Sequence, residues 1–186
     1  VVAAASQPGM VYIRTSRPKT PIVYDLSERF EIGGSKVLRE SAADTATVVA
    51  AGVTVFEALK AYDELKRAGV SLRVIDAYSI APIDRATLVR AGRQTGRLIT
   101  VEDHYPAGGL GDAVAEAVAP EGLVVHRLAV REIPRSGRPD ELLDRFGEEP
   151  VRVDHEHLLG RQRLLQCHDL LGVPAAGEVG VVPVVE

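Results

Sequence analysis

The sequence predicts an α/β fold in which a mostly parallel sheet is covered by helices. Three observations carry this reading. Short, almost uninterrupted apolar runs recur between Thr47 and Val130, as expected of strands buried on both faces. Amphipathic stretches of roughly 10–15 residues separate them, so each strand and helix pair reads as one βαβ unit. Glycine, proline and capping residues sit at the junctions.

The elements follow in order. Thr47 to Ala51 is an apolar strand ending at Gly52. Thr54 opens a helix, because Thr54 and Glu57 have the spacing of a capping box, in which two side chains satisfy orphan backbone donors. Val55, Leu59, Tyr62 and Leu65 form its apolar stripe, Lys60, Asp63, Glu64 and Arg67 lie off it, and Gly69 stops it. Val70 to Asp76 reads as the next strand; Pro82 and Asp84 then begin a helix that runs to about Thr95 and ends near Gly96. Arg97 to Val101 is a third strand. The turn with Gly108, Gly109 and Gly111 leads into a helix with Ala113, Val114, Ala117 and Val118 on one side, and Leu123 to Val130 is a fourth strand. A last helix has Pro139 in its first turn, Asp140 and Glu141 near the positive end of its dipole, and Gly147 as its stop.

Both flanks lie outside this rhythm. Gly9 to Ser16 contains a strand-like Met-Val-Tyr-Ile run, and Pro18 and Pro21 favour an extended linker after it. Residues 1–32 therefore read as the end of another unit plus a connector, residues 33–147 as a domain with its own core, and residues 148–186 as an unassigned tail with a candidate helix from Leu158 to Leu171. The first residue is Val, which suggests a fragment, a processed chain or a misplaced gene start.

Composition narrows the function classes. The chain has 186 residues, 46% hydrophobic and 26% charged, which is the globular range and long enough to bury a core. A net charge of −4 gives no overall basic footprint, so nucleic acid is not an expected partner. A lone cysteine, Cys167, cannot close an intrachain disulfide, and no apolar run approaches the ~20 residues of a membrane span. The expectation is a soluble, cytoplasmic protein with no membrane contact.

The chain lacks a phosphate loop of the Gly-x-x-x-x-Gly-Lys-Ser/Thr type, a Gly-x-Ser-x-Gly nucleophile elbow and a His-Glu-x-x-His zinc motif. His155, Glu156, His157, Cys167 and His168 are ligand types without a zinc spacing, and an ordinary polar tail is the favoured reading. Gly109-x-Gly111 has Val114 where a dinucleotide loop needs its third glycine, so helix entry and close packing explain it better. Ligands of open α/β sheets sit beyond the carboxyl ends of the strands, where Asp76, Tyr78, Glu102, Asp103, His104 and Tyr105 fall. Glu102, Asp103 and His104 form a candidate acid and base cluster, set against a solvated or subunit-facing loop, which is the reading preferred for them. Two basic groups, Arg14, Arg17 and Lys19 in the linker and Arg131, Arg135 and Arg138 near the last helix, have the guanidinium chemistry that grips phosphate.

Four segments together carry a specific likeness. Val11-Tyr-Ile-Arg-Thr-Ser-Arg-Pro18, Ala51-Gly-Val-Thr-Val-Phe-Glu-Ala-Leu59, Val101-Glu-Asp-His-Tyr-Pro-Ala-Gly-Gly-Leu-Gly111 and Pro134-Arg-Ser-Gly-Arg-Pro-Asp-Glu-Leu-Leu143 resemble, in order and separation, the C-terminal region of transketolase. The likeness covers about residues 1–147. The same frame occurs in the beta subunits of thiamine-dependent 2-oxo acid dehydrogenases and in deoxyxylulose-phosphate synthase; the Glu-Asp-His-Tyr and Pro-Arg-Ser-Gly wording favours transketolase.

The resemblance implies a homodimeric enzyme that uses thiamine diphosphate and Mg to move a two-carbon ketol unit between sugar phosphates. It makes residues 1–32 the end of the pyrimidine-binding domain and its linker, and 33–147 the C-terminal domain. Matched through Ser16-Arg17, Arg17 is the residue implied to bind the substrate phosphate. The family's Gly-Asp-Gly motif is absent, and Gly111-Asp112-Ala113 is a partial match at a helix start. No catalytic residue and no metal ligand is therefore assigned, and neither cofactor is expected to bind this chain alone. The chain is expected to be inactive by itself and to need the missing N-terminal transketolase domains as partner. The alternatives are a free-standing α/β binding or assembly module, or the matching domain of a 2-oxo acid dehydrogenase beta subunit.

Overall fold

The computed structural model describes residues 1–16, 19–131, 133 and 136–138. Its elements are α1 (Val2–Ala5), β1 (Lys36–Arg39), β2 (Ala46–Ala50), α2 (Thr54–Arg67), β3 (Leu72–Asp76), α3 (Arg85–Thr95), β4 (Leu98–Val101), α4 (Leu110–Val118), a 3₁₀ turn (Ala119–Glu121) and β5 (Val125–Leu128). The strands form one sheet in the order β1-β3-β2-β4-β5. β2 pairs in parallel with β3 and β4, and β4 with β5, whereas β1 runs antiparallel to β3. A mostly parallel α/β sheet is what the apolar runs and helical stretches predict.

The apolar runs follow from burial on two faces. Val48 and Ala50 of β2 pack with Val74 of β3 and with Val55, Ala58 and Leu65 of α2. On the other face, Val49 of β2 and Leu98 of β4 meet Leu88 and Val89 of α3 and Leu110, Val114 and Val118 of α4. All five residues of β2 are therefore buried, and Val48 stands opposite both Val74 and Ile99. Burying a Val, Leu or Ile side chain contributes about 1.5–3 kcal/mol, so the two faces of β2 hold both helical layers to one sheet.

Several details depart from the sequence expectations. β1 is an added edge strand: Lys36-Val-Leu-Arg39 offers only Leu38 to the core, and its charged ends suit an edge. Met10 to Ile13 is not a strand but an exposed segment without regular structure, since no neighbouring strand among the described residues supplies ladder hydrogen bonds to it. Thr54 does not form the capping box with Glu57. Its hydroxyl instead donates to the Val101 carbonyl at 2.8 Å and accepts from the Ala51 N–H at 3.2 Å, while Glu57 pairs with Lys60 at 2.8 Å. A buried threonine that ties the ends of β2 and β4 satisfies groups which local capping would leave open. The expected helix at Pro139, the helix at 158–171 and the tail ligands lie outside the described residues.

α3 has the cap that the sequence suggests. Asp84 Oδ1 accepts from the Thr87 N–H at 3.0 Å, Asp84 Oδ2 accepts from the Ser35 hydroxyl at 2.9 Å, and Gly96 closes the helix at φ 73°. Burial alone would raise the Asp84 carboxyl, but the Thr87 and Ser35 hydrogen bonds and nearby Arg90 bring it below its ordinary value. A lowered folded-state value gives stability that is present above the ordinary value of 3.8 and lost as pH falls through the folded value. Asp84→Ala should cost about 1–2 kcal/mol in urea unfolding of the full chain at pH 7. Asp84→Asn should lose less at pH 7 and flatten the decline in stability below pH ~4.

Candidate functional site

The strand order fixes where a ligand crevice can form. From β2 the chain crosses to β3 on one side, and from β4 it crosses to β5 on the other, so the loops after β2 and β4 diverge. The carboxyl ends of β2 and β4 are thus the topological switch point of the sheet. Gly52, in the left-handed region at φ 63°, turns the chain after β2, and residues 102–109 lead from β4 into α4. Glu102, Asp103 and His104 all lie in this second loop.

The three side chains do not converge on one solvent-accessible point. The Glu102 side chain is fully buried, its Oε1 3.3 Å from the Thr100 hydroxyl and its Oε2 without a hydrogen-bond partner among the described residues. His104 Nδ1 lies 3.6 Å from Glu102 Oε2 and 2.8 Å from the Tyr105 carbonyl oxygen. Asp103 turns away and accepts both Arg14 nitrogens, at 3.0 and 2.8 Å. Glu102 is therefore not a solvated loop residue: it is buried, with its carboxylate against Gly109 and Gly111 at the start of α4.

Glu102 also explains the glycines. A Cβ at Gly109 would stand 2.4 Å from Glu102 Oε2 and 2.0 Å from His104 Cε1, and one at Gly111 would stand 2.4 Å from Glu102 Oε1. Real Cβ atoms do not approach so closely, so Gly109 and Gly111 are required by close packing, as their sequence setting implies. The carboxylate lies against the first turn of α4, where negative charge is favoured by the helix dipole. A diphosphate at the same place would meet this buried carboxylate, so the crevice residues do not fit a diphosphate cofactor. Asp112 completes the loop. It accepts from the Gly108 N–H at 2.6 Å and from Arg127 Nη1 at 2.5 Å, and those bonds hold its carboxyl below the ordinary range.

At the carboxyl end of β3 the structure adds a group that the sequence reading only half identified. Asp76 is buried, and its Oδ2 accepts from the Tyr24 hydroxyl at 2.5 Å. Tyr24 stacks edge-on against Phe30, and Phe30 against Tyr78, each with ring centroids 4.9 Å apart. The Tyr78 hydroxyl accepts from the Glu31 N–H at 3.2 Å. Asp76 and Tyr78 stand at an expected strand end, but Tyr24 and Phe30 lie in the linker; the signal available was aromatic residues in a Pro-flanked connector of an aromatic-poor chain.

Among the described residues, no group of three or more His, Cys, Asp or Glu side chains is arranged to hold a metal, and no helix is long and apolar enough to cross a membrane. Of the basic groups, Arg14 is engaged by Asp103, Arg131 and Arg138 have interactions of their own, and Arg17 and Arg135 lie outside the described residues. A groove at the opposite, amino end of the strands is lined by Ser41, Asp44, Arg73, Gln94 and Thr95. Its one buried cation, Arg73, is held by Asp44 at 3.6 Å and Glu40 at 3.8 Å and by Gln94.

The model of the family described as transketolase, C-terminal domain, matches residues 35–153. The chain belongs to the transketolase C-terminal domain family. It is 56% identical over 149 residues to transketolase-like protein 1 of Bos taurus, covering 79% of this chain and 25% of that one. To the transketolase of Mus musculus it is 49% identical over 149 residues, covering 79% of this chain and 24% of that one. A solved structure described as a split gene transketolase, an inactive beta4 tetramer, superposes with a TM-score of 0.64 at 38% identity, covering 68% of this chain and 41% of that one. The chain thus spans about a quarter of the length of these curated relatives. It is a transketolase-type part, with the switch-point crevice of its C-terminal domain packed by Glu102.

The Tyr24 and Asp76 pair sets a pH dependence. Burial, with the hydrogen bond to Asp76, pushes the Tyr24 hydroxyl far above its ordinary range. Burial also raises Asp76, and the Tyr24 hydrogen bond opposes that rise. A raised folded-state carboxyl contributes stability that is full below the ordinary value of 3.8 and lost as pH climbs through the raised value. Tyr24→Phe removes the donor to the charged form and raises Asp76 further, so its cost should grow with pH. Denaturant unfolding should give a loss of about 1–3 kcal/mol at pH 8 and a clearly smaller one at pH 4. An equal loss at both values would mean that the hydroxyl does not serve the carboxylate.

Proposed function

We propose that this chain is the C-terminal part of a transketolase, and that it works only when joined to the N-terminal domains that carry the rest of the active site. The complete enzyme would transfer a two-carbon ketol unit between sugar phosphates with thiamine diphosphate and Mg, as a homodimer, in the cytoplasm. In that assembly residues 1–32 are the end of the pyrimidine-binding domain and its linker, 33–147 the C-terminal domain, and 148–186 a tail without assigned role.

The observation that carries the reading is the extent of the likeness: 149 residues at 56% identity to a transketolase-like protein, 79% of this chain. The split gene transketolase supports the second half, since a transketolase divided between chains is a known form and the one with this fold is described as inactive. Thiamine diphosphate supplies the carbanion chemistry of such an enzyme. No step is assigned to it here, because the crevice of this chain holds Glu102 where a diphosphate would need donors.

What this chain contributes is binding and orientation. Arg17, in the Ser16-Arg17 pair, is proposed to hold the substrate phosphate through its planar fork of donors. The phosphate is remote from the reacting carbon, so its binding energy enters mainly as affinity and positioning. In an assembled enzyme, Arg17→Ala should lose about 1.5–3 kcal/mol, roughly a 10- to 150-fold effect expressed mainly in KM. Arg17→Lys should recover part of it, because an ammonium cannot make the two-point contact. Steady-state kinetics with a phosphorylated and an unphosphorylated acceptor decide the matter: a variant that keeps the parent's preference for the phosphorylated acceptor would remove Arg17 from the site.

A further inference from the structure

Among the contacts that hold the linker to the domain, two stand on either side of Arg17 in the sequence. Upstream, Arg14 places two nitrogens on Asp103, in the loop that leaves β4. Downstream, Tyr24 donates to Asp76 at the end of β3 and its ring is held in the Tyr24, Phe30 and Tyr78 stack. Both acceptors stand at the carboxyl ends of strands, on the edge of the sheet where the switch-point crevice opens. The family match begins at residue 35, so in each pair one member lies outside it and the other within it.

We infer that Arg14–Asp103 and Tyr24–Asp76 are a pair of positioning contacts that dock the linker on the carboxyl edge of the sheet and thereby set where the segment between them is presented. Arg14 and Tyr24 stand three residues before and seven after Arg17 in the sequence, and a chain reaches at most about 3.6 Å per residue, so two fixed anchors limit how far the segment between them can swing. Anchoring both ends of the nine-residue stretch between Arg14 and Tyr24 removes much of the freedom that an open linker has.

The two anchors differ in strength. Arg14 and Asp103 have side chains 59% and 19% exposed, so solvent weakens the pair, although the two-point geometry restores part of it. Tyr24 serves a buried carboxylate whose second oxygen has no hydrogen-bond partner among the described residues, so losing the hydroxyl removes the hydrogen bond that Asp76 Oδ2 accepts. The consequence for catalysis rests on the reading of Arg17 above; the docking itself does not.

Limited trypsin digestion of the full 186-residue chain tests the docking. The scissile bond after Lys19 lies between the anchors, and the bond after Arg67, at the exposed end of α2, serves as reference. Asp103→Asn should speed cleavage after Lys19 about fivefold and Tyr24→Phe about tenfold or more, with the reference bond unchanged, in line with an exposed bidentate pair and a buried acceptor. Arg14→Lys should lie between the parent and Arg14→Ala. Unchanged cleavage after Lys19, or a parallel rise at both bonds, would overturn the assignment.

In the assembled enzyme, Asp103→Asn should raise KM for a phosphorylated acceptor severalfold and leave kcat and the unphosphorylated acceptor alone. The two readings separate cleanly. Faster cleavage in Asp103→Asn together with a normal phosphate preference in Arg17→Ala would keep the docking and discard Arg17 as ligand; the reverse pair of results would discard the docking.

Discussion

Burial of β2 on both faces is the constraint from which the rest of the molecule follows. A strand with no polar face cannot sit at the surface of a sheet, so Ala46–Ala50 must be central and must be covered twice. The chain meets that demand by crossing to β3 through α2 on one side and then returning past β2 to β4, with α3 and α4 on the other. Reversal of direction around β2 creates the switch point, and the Thr54 hydroxyl bonded to the Val101 carbonyl secures it. The position of the crevice is thus a consequence of core packing.

What fills the crevice is equally a matter of packing. The Glu102 side chain is wholly buried at this end of the fold, and α4 begins where Gly109 and Gly111 make room for it. The arrangement resembles an anion site in its geometry, with a helix start facing a loop rich in glycine, yet the anion is part of the protein. This separates the domain from phosphate-binding α/β folds that place ligands at the same point.

How far the sequence could be read depended on the range of the interactions. Four of the five strands and the three longer helices were legible because apolar periodicity and glycine stops are local, as at Gly96 after α3. Asp84 was legible as a helix start for the same reason, since a cap bonds three residues ahead. Thr54 misled because its hydroxyl serves a carbonyl 47 residues away, which no local motif encodes. β1 was missed because an edge strand with charged ends has no apolar run. The cluster of Glu102, Asp103 and His104 was found as residue types, but the direction of each side chain depends on partners such as Arg14, 89 positions from Asp103.

The chain belongs to the transketolase C-terminal domain family and spans about a quarter of the length of its curated relatives. The central claim is that this domain and linker complete an active site built elsewhere. Mixing the 186-residue chain with a chain carrying the N-terminal transketolase domains, in thiamine diphosphate and magnesium, and assaying two-carbon transfer between sugar phosphates, tests it most directly. The account predicts activity in the mixture and none from either chain alone. Transfer by the 186-residue chain alone, or a stable complex of the two that remains inactive, would contradict it.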